Sequence, residues 1–351
     1  MDAIDYLELY GFEELSGEID DLFPEWGISF EEMVGKLLHG EGTEVLFELF
    51  GQIQNAFLAQ IESFRTLAVL LLVLGILGSF YQVFAAAFKD HQITDAGYYI
   101  FYLALVGILI KSYFGMQRMA MEWINEMLLF MKLMIPTFCM CVGISNGNCT
   151  ASTTYTIAAF LMFVVERIVP LVLFPLLSVY AVLALLNELW EEERLGPLLD
   201  QMKSLLQFLV KVLLYSVFGI TLIRNAISPV IDQFTGSVLQ KVVGGLPGIG
   251  NAAMLAWQTT MGAALLIKNS VGVVFVMLLI MGSLVPVCNV AAFAVIIKLD
   301  TVLLGMLQDN RIVHCMQRLG DSGMLLLRIL LGAIGVFVVF IALTVMMTGT
   351  G

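Results

Sequence analysis

The sequence predicts an all-α, polytopic helical membrane protein with about six to eight membrane segments and an acidic N-terminal helical segment. Hydrophobic residues make up 60% of the 351 residues, charged residues make up only 13%, and the mean hydropathy is +0.93. A soluble domain usually carries about 25% charged residues. A chain this apolar needs a solvent that is itself apolar, and the bilayer provides one.

The acidic segment covers residues 1–42 and is expected to face water. The first fifty residues contain fourteen of the twenty-nine acidic residues and one basic residue, Lys36, so they carry a charge of −13. This charge would repel nucleic acid and anionic lipid headgroups. It could meet a basic protein surface or simply keep the segment soluble, and both readings stay open. Many aromatic residues argue against plain disorder, so short helices separated at Pro24 and Gly27 are expected.

Residues 43–65 are predicted to form an amphipathic helix. Thr43 can cap it, and apolar residues then recur at three- and four-residue steps. Such a helix lies on the membrane, pairs with a partner or, most commonly, packs on its own bundle. The chain begins with acidic residues where a signal peptide would have basic ones. The first span, near residue 67, is therefore expected to direct insertion unless a leader has been removed.

The membrane domain is predicted to cover residues 66–347. Its first two spans are expected at about 66–88 and 96–114, each long enough to cross a hydrocarbon core of about 30 Å. Residues 116–142 are rich in methionine but carry several charges, which indicates an interfacial or re-entrant helix that turns at Pro136.

The middle of the domain is punctuated by proline and glycine. The apolar stretch 155–190 contains two prolines, so either one kinked span or two short ones fit it. Another helix is expected at 198–225. A glycine-rich stretch then predicts a loop or re-entrant turn. Its residues are Gly244, Gly245, Pro247, Gly248 and Gly250.

Four apolar runs follow this turn. Residues 251–267 and 271–285 are two short segments or one interrupted helix, and a further run covers 291–307. A polar link with Arg318 and Asp321 is expected before the last span, at about 324–347.

The domain also shows signs of an internal repeat, 155–225 with 271–344. Pro170 and Pro286 lie 116 residues apart in apolar stretches, and residues 209–214 match 326–331 at a spacing of 117, with one basic residue in each. Duplicated helical units are common in membrane proteins. Apolar sequences also match by chance, so this alternative stays open.

No motif of catalysis, cofactor binding or metal binding is present. The sequence lacks a Walker loop, a nucleophile elbow, a zinc-protease motif and a dinucleotide fingerprint. The three histidines are isolated, and the five cysteines have neither zinc-site nor redox spacing. We therefore predict a protein that is not an enzyme and that needs no cofactor.

The charges inside apolar runs are the candidate functional residues. Each is costly in hydrocarbon unless it is paired, hydrated or able to reach the interface. They predict a polar path or subunit contacts, with simple snorkelling as the alternative, favoured for the arginine of the last span. The candidates are Glu166, Arg167, Lys268, Lys298, Asp300 and Arg328.

The C-terminal half contains residues 244–247 (Gly-Gly-Leu-Pro), residues 265–272 (Leu-Leu-Ile-Lys-Asn-Ser-Val-Gly), Pro286 and a closing span with Arg328. In these residues it resembles the stage III sporulation protein AE family. The acidic head before the first span also fits. In layout the resemblance covers most of residues 43–347, and it is most specific at 240–290.

The resemblance implies a non-enzymatic subunit of the channel complex between mother cell and forespore, required for endospore development. It implies a multi-pass protein in the mother-cell membrane around the forespore. Its implied partners are other stage III sporulation membrane proteins and a separate ATPase subunit, and a homo-oligomer is compatible with it. The alternative is a secondary transporter with duplicated helical units, which the repeat and the intramembrane charges favour.

Overall fold

The structure is a computed structural model, and every element that it describes is a helix. It describes residues 42–85, 91–146, 148–187, 195–215, 250–306 and 310–346, together with Gly17 and Lys36. The helices are α1 (Gly42–Ala85), α2 (His91–Asn146), α3 (Asn148–Ile168), a π-helical turn (Val169–Leu173), α4 (Phe174–Asn187), α5 (196–215), α6 (Gly250–Gly305) and α7 (Asn310–Met346).

The predicted turn at Pro136 is wrong. Helix α2 continues through this proline, and its 56 residues make about 84 Å of helix at 1.5 Å per residue. A proline removes one backbone hydrogen bond, a loss that neighbouring helices can compensate in a membrane bundle. Met134 and Ile135 before the proline and Cys139 after it are all buried. Packing on both sides of Pro136 therefore holds the helix together.

In helix α6 the reading of residues 251–285 as one interrupted helix is right, whereas the expected separation of the run 291–307 is wrong. This helix joins the three expected runs between residues 251 and 307 into one helix of 56 residues, with Pro286 inside it. The polar Lys-Asn-Ser interruption at 268–270 is helical, because a helix satisfies its own backbone whatever the side chains are. The expected polar link before the last span is helical as well, since α7 begins at Asn310.

The described residues contain five helical segments that are long and apolar enough to cross a membrane. The prediction of about six to eight segments counted separately several runs that the structure joins, and residues 216–249 lie outside the described part. The five candidate spans are Phe64–Tyr81, Tyr99–Pro136, Tyr155–Asn187, Gly272–Gly305 and Ile312–Ile341. These spans indicate a multi-pass membrane protein.

Pro170 lies in the π-helical turn that joins α3 to α4. The wider turn accommodates the missing N–H without ending the helical path. Residues 155–187 therefore form one span. Of the two readings of this stretch, the single long segment is the one that the structure shows.

Aromatic contacts set the register of α2 against α6. The rings of Tyr113 and Phe293 lie 6.4 Å apart, and those of Phe130 and Phe275 lie 5.9 Å apart. Between these two contacts, Trp123 Nε1 donates a hydrogen bond of 2.9 Å to the carbonyl oxygen of Gly282. The two helices are therefore antiparallel over the core of the bundle.

Helix α6 also packs against α1 and α7. Phe64 of α1 lies edge to face with Phe293, at 6.1 Å between ring centroids, and Leu304 lies against Gly75 further along. This order makes α1 and α6 parallel. Ala294 lies against Gly323 of α7, so α6 and α7 form an antiparallel hairpin.

Two predicted segments fall wholly or partly outside the described residues. The acidic segment 1–42 does so almost entirely, as do Gly244, Gly245, Pro247 and Gly248 of the expected turn, whereas Gly250 is the first residue of α6. Residues 43–65 belong to the same helix as the first span, and Phe64 packs on the bundle. The domain boundaries and the internal repeat stay predictions.

Candidate functional site: an ion-pair cluster between three helices

Asp321 on α7 lies at the centre of an ion-pair cluster. Its Oδ2 atom lies 2.6 Å from Lys203 Nζ on α5, and its Oδ1 atom lies 3.1 Å from Lys298 Nζ on α6. The side chain of Asp321 is 22% exposed, against 34% for Lys203 and 46% for Lys298. One carboxylate thus links three helices at the surface of the bundle.

A second ion pair lies one helical turn away. Arg318 Nη1 donates a hydrogen bond of 2.9 Å to Asp200 Oδ1. The buried hydroxyl of Tyr180 on α4 lies close enough to the Arg318 guanidinium to interact with it electrostatically. The cluster therefore borders α4 as well.

The spacing of the charges explains why the two pairs form together. Asp200 and Lys203 are three residues apart on α5, and Arg318 and Asp321 are three apart on α7, so each set lies on one helix face. The helices run parallel, as a later contact between Val210 and Gly332 shows. Each acid on one helix therefore meets a base on the other.

Neutral polar contacts surround this end of the bundle. Ser322 Oγ donates to Tyr113 Oη at 2.7 Å, and Asn187 Oδ1 accepts from the backbone N–H of Leu195 at 2.9 Å. The second bond connects the end of α4 to the start of α5. Because buried polar groups are expensive to leave unpaired, these bonds help to hold the charged helices in place.

Asp300 is different from the other acids. It is 3% exposed, its Oδ2 atom is buried without a hydrogen bond, and it has no ion pair within the described residues. It shares a helix face with Phe293 and Leu304, which pack on α1. Its side chain therefore lies on a buried face of α6.

The adjacent charges Glu166 and Arg167 do not pair with each other. Glu166 Oε2 lies 3.0 Å from Lys132 Nζ on α2, and both side chains are about half exposed. The Arg167 guanidinium lies over the ring of Phe163 of its own helix, 5.7 Å from the centroid. Both contacts lie on the outer surface of the bundle, away from Asp321.

The remaining predicted charges are separated from one another. Lys298 belongs to the cluster, but it pairs with Asp321 rather than with nearby Asp300. Arg328 is exposed on α7. Lys268 is in α6, with its side chain outside the described residues. Of the six candidates, Lys298 is the one that belongs to the cluster around Asp321 among the described residues, and the polar path or subunit contacts stay a prediction.

The centre of the cluster is not predicted by the sequence patterns. These patterns place Arg318 and Asp321 in a polar link, and they do not indicate Asp200 or Lys203 as site residues. Their three-residue spacings were visible in the sequence, but the pairing joins residues 118 apart. Such a pairing needs the packing of α5 on α7, which a single sequence does not give.

Comparison with known proteins identifies the family. Residues 28–350 match the family model described as Stage III sporulation protein AE. The chain belongs to the stage III sporulation protein AE family. It is also 26% identical over 306 residues to the stage III sporulation protein AE of Bacillus subtilis (strain 168), covering 87% of this chain and 75% of that protein. No solved structure matches the chain.

Membership of the stage III sporulation protein AE family implies a role in stage III of sporulation. It confirms the resemblance seen at residues 240–290. Within the described residues, no group of histidine, cysteine or acidic side chains could hold a metal ion. The ion pairs of the cluster can fix the helices relative to one another and attract ions or charged groups.

Proposed function

We propose that this protein is a non-enzymatic membrane subunit of the channel complex between mother cell and forespore. The observation that carries the proposal is the family match over residues 28–350. Five candidate membrane spans fit a subunit in the mother-cell membrane around the forespore. The protein would serve endospore development as part of a helical platform in that membrane.

The proposed partners are other stage III sporulation membrane proteins and a separate ATPase subunit. The acidic segment 1–42 and the amphipathic start of α1 would contact partners, because the charge of the first fifty residues suits a basic protein surface. The cluster around Asp321 would keep α5, α6 and α7 in a fixed arrangement. Association with further copies of the chain fits the same role.

Affinity purification from sporulating cells tests this proposal. The tagged protein is extracted in mild detergent, and the co-purifying proteins are identified by mass spectrometry, with the same tagged chain expressed in growing cells as the control. Recovery of other stage III membrane proteins and the ATPase, only during sporulation, is expected. Recovery of the chain alone at full abundance would contradict a role as a complex subunit.

A secondary transporter is the second candidate. Ionisable side chains inside candidate spans favour it, above all Asp300, because such residues often mark ion or substrate pathways. A transporter moves its solute when it is reconstituted alone in vesicles, whereas a channel subunit is inactive without its partners. Measurements of ion and solute flux on the purified protein separate the two functions.

A further inference from the structure

The ion-pair cluster has more positive than negative charges. Three bases, Lys203, Lys298 and Arg318, meet two acids, Asp200 and Asp321. Asp200 compensates Arg318, but the single carboxylate of Asp321 is shared by two lysines. Among the described residues one positive charge of the cluster is therefore left over, and Lys298, one of the two lysines that share it, lies in the candidate span Gly272–Gly305. An uncompensated charge in such a place is costly unless an anion or water meets it.

The two lysines face out of the bundle rather than into it. Their side chains are about one third and one half exposed. Large apolar side chains beside Lys298 are also exposed: Val302, four residues further along the same face of α6, and the adjacent Leu299. On a helix that crosses a membrane, such a surface contacts lipid. In a membrane, a lipid molecule or its headgroup would therefore lie next to this surface of α6.

The position along the helices places the lysines towards one end of the bundle. Lys203 is close to the start of α5, and Lys298 is seven residues before the end of α6 at Gly305. Long lysine side chains near helix ends extend towards the headgroup layer. Basic pockets between transmembrane helices are known to bind anionic headgroups.

We propose that Lys203 and Lys298 together bind the phosphate of an anionic phospholipid. Asp321 holds the two ammonium groups near each other, and the surplus positive charge attracts the headgroup. The acyl chains would lie along the exposed Leu299 and Val302 of α6. Free phosphate offers the same charge, but it cannot use the apolar surface beside the lysines, so a lipid is the ligand that fits.

The test uses the purified full chain in nanodiscs of phosphatidylcholine with increasing amounts of phosphatidylglycerol. Retained lipid is counted by native mass spectrometry. We expect the wild-type protein to retain phosphatidylglycerol in preference to phosphatidylcholine. Lys203→Gln or Lys298→Gln should each reduce the preference roughly fivefold, the effect of one basic residue near an anionic surface. Each single variant leaves Asp321 with one lysine, so neither creates an unpaired acid.

Asp321→Asn gives the sharpest contrast. This substitution removes the acid and increases the surplus positive charge, so the preference for phosphatidylglycerol should rise. If the cluster were purely structural, the preference would fall in Asp321→Asn as well as in Lys203→Gln and Lys298→Gln. If Asp321→Asn does not fold, Lys203→Arg and Lys298→Arg replace it, and both should keep the preference. Lys132→Gln is the matched control, because Lys132 has its own acid in Glu166. It should behave as wild type.

Two results would overturn the proposal. Equal retention of the two lipids by the wild-type protein would show that the surplus charge does not select an anionic headgroup. Competition by inorganic phosphate that removes the retained lipid completely would show that the apolar surface contributes nothing. The expected result is that phosphate at the same concentration displaces little lipid.

Discussion

Asp321 and Lys203 lie 118 residues apart in the chain, and their side chains form an ion pair of 2.6 Å between α7 and α5. Asp321→Ala should lower the free energy of unfolding by roughly 2 kcal/mol, between the values for exposed and buried pairs, because it leaves two partly buried lysines without their acid. Unfolding of the purified protein in detergent by added denaturing surfactant measures this change.

Asp200→Ala is the matched control for that experiment. Asp200 also forms an ion pair, but its side chain is 70% exposed, so its loss should cost less than about 1 kcal/mol. Equal losses in the two variants would show that the sharing of Asp321 between two lysines adds no stability.

Asp300→Leu should leave the protein as stable as the wild type or make it more stable. The buried Oδ2 atom of Asp300 has no hydrogen bond, and burial of an unpaired polar group costs about 1–3 kcal/mol. Thermal unfolding in detergent measures the change, with Asp321→Leu compared in parallel. The same substitution at Asp321 should destabilise the protein, since it breaks two ion pairs.

A functional role of Asp300 would appear in a separate measurement. Spore counts and the amount of protein in sporulating cells are determined for Asp300→Leu and Asp300→Asn. Normal protein levels with a strong fall in spore counts would show that the carboxyl group serves the function rather than the fold. A fall in protein level would instead contradict the stability prediction.

The helical membrane class followed from composition and run length, but the boundaries of the helices did not. Pro136 illustrates the reason. A proline inside a helix favours a kink or the end of the helix, yet Met134 and Cys139 are buried and keep α2 continuous. Tertiary packing keeps the helix continuous at this proline, and such packing cannot be inferred directly from a single sequence.

The candidate site was predictable in part for a related reason. Because a charge is costly in hydrocarbon, Lys298 and Asp300 were predicted as candidate functional residues, and both are in a candidate span. Their different environments could not be inferred, because Lys298 meets Asp321 from another helix whereas Asp300 is buried without an ion pair among the described residues. Neighbours in sequence thus had opposite surroundings, which follow from the helix face that each occupies.

Gly323→Leu should destabilise the α6–α7 hairpin. A Cβ atom at Gly323 would lie 3.2 Å from Ala294 Cβ and 3.5 Å from the backbone Cα of Ala294. A leucine there should force the helices apart at a cost of roughly 1–3 kcal/mol, the usual effect of overpacking. The protein level in membranes and the surfactant-unfolding midpoint both measure it.

Gly115→Leu is the control for the hairpin. A Cβ atom at Gly115 would meet no atom within 4 Å, and the residue lies in the candidate span of α2. This variant should keep the wild-type midpoint. Destabilisation of equal size in both variants would point to a general effect of leucine for glycine rather than to the contact with Ala294.

Glu166→Gln should leave the amount and stability of the protein unchanged. The pair of Glu166 with Lys132 is about half exposed on both sides, and exposed ion pairs contribute less than about 1 kcal/mol. Immunoblots of membranes and spore counts measure the two properties together, with Arg167→Gln as the companion variant. Because the fold does not depend on this pair, a fall in spore counts at an unchanged protein level would identify Glu166 as part of a polar path or a subunit contact.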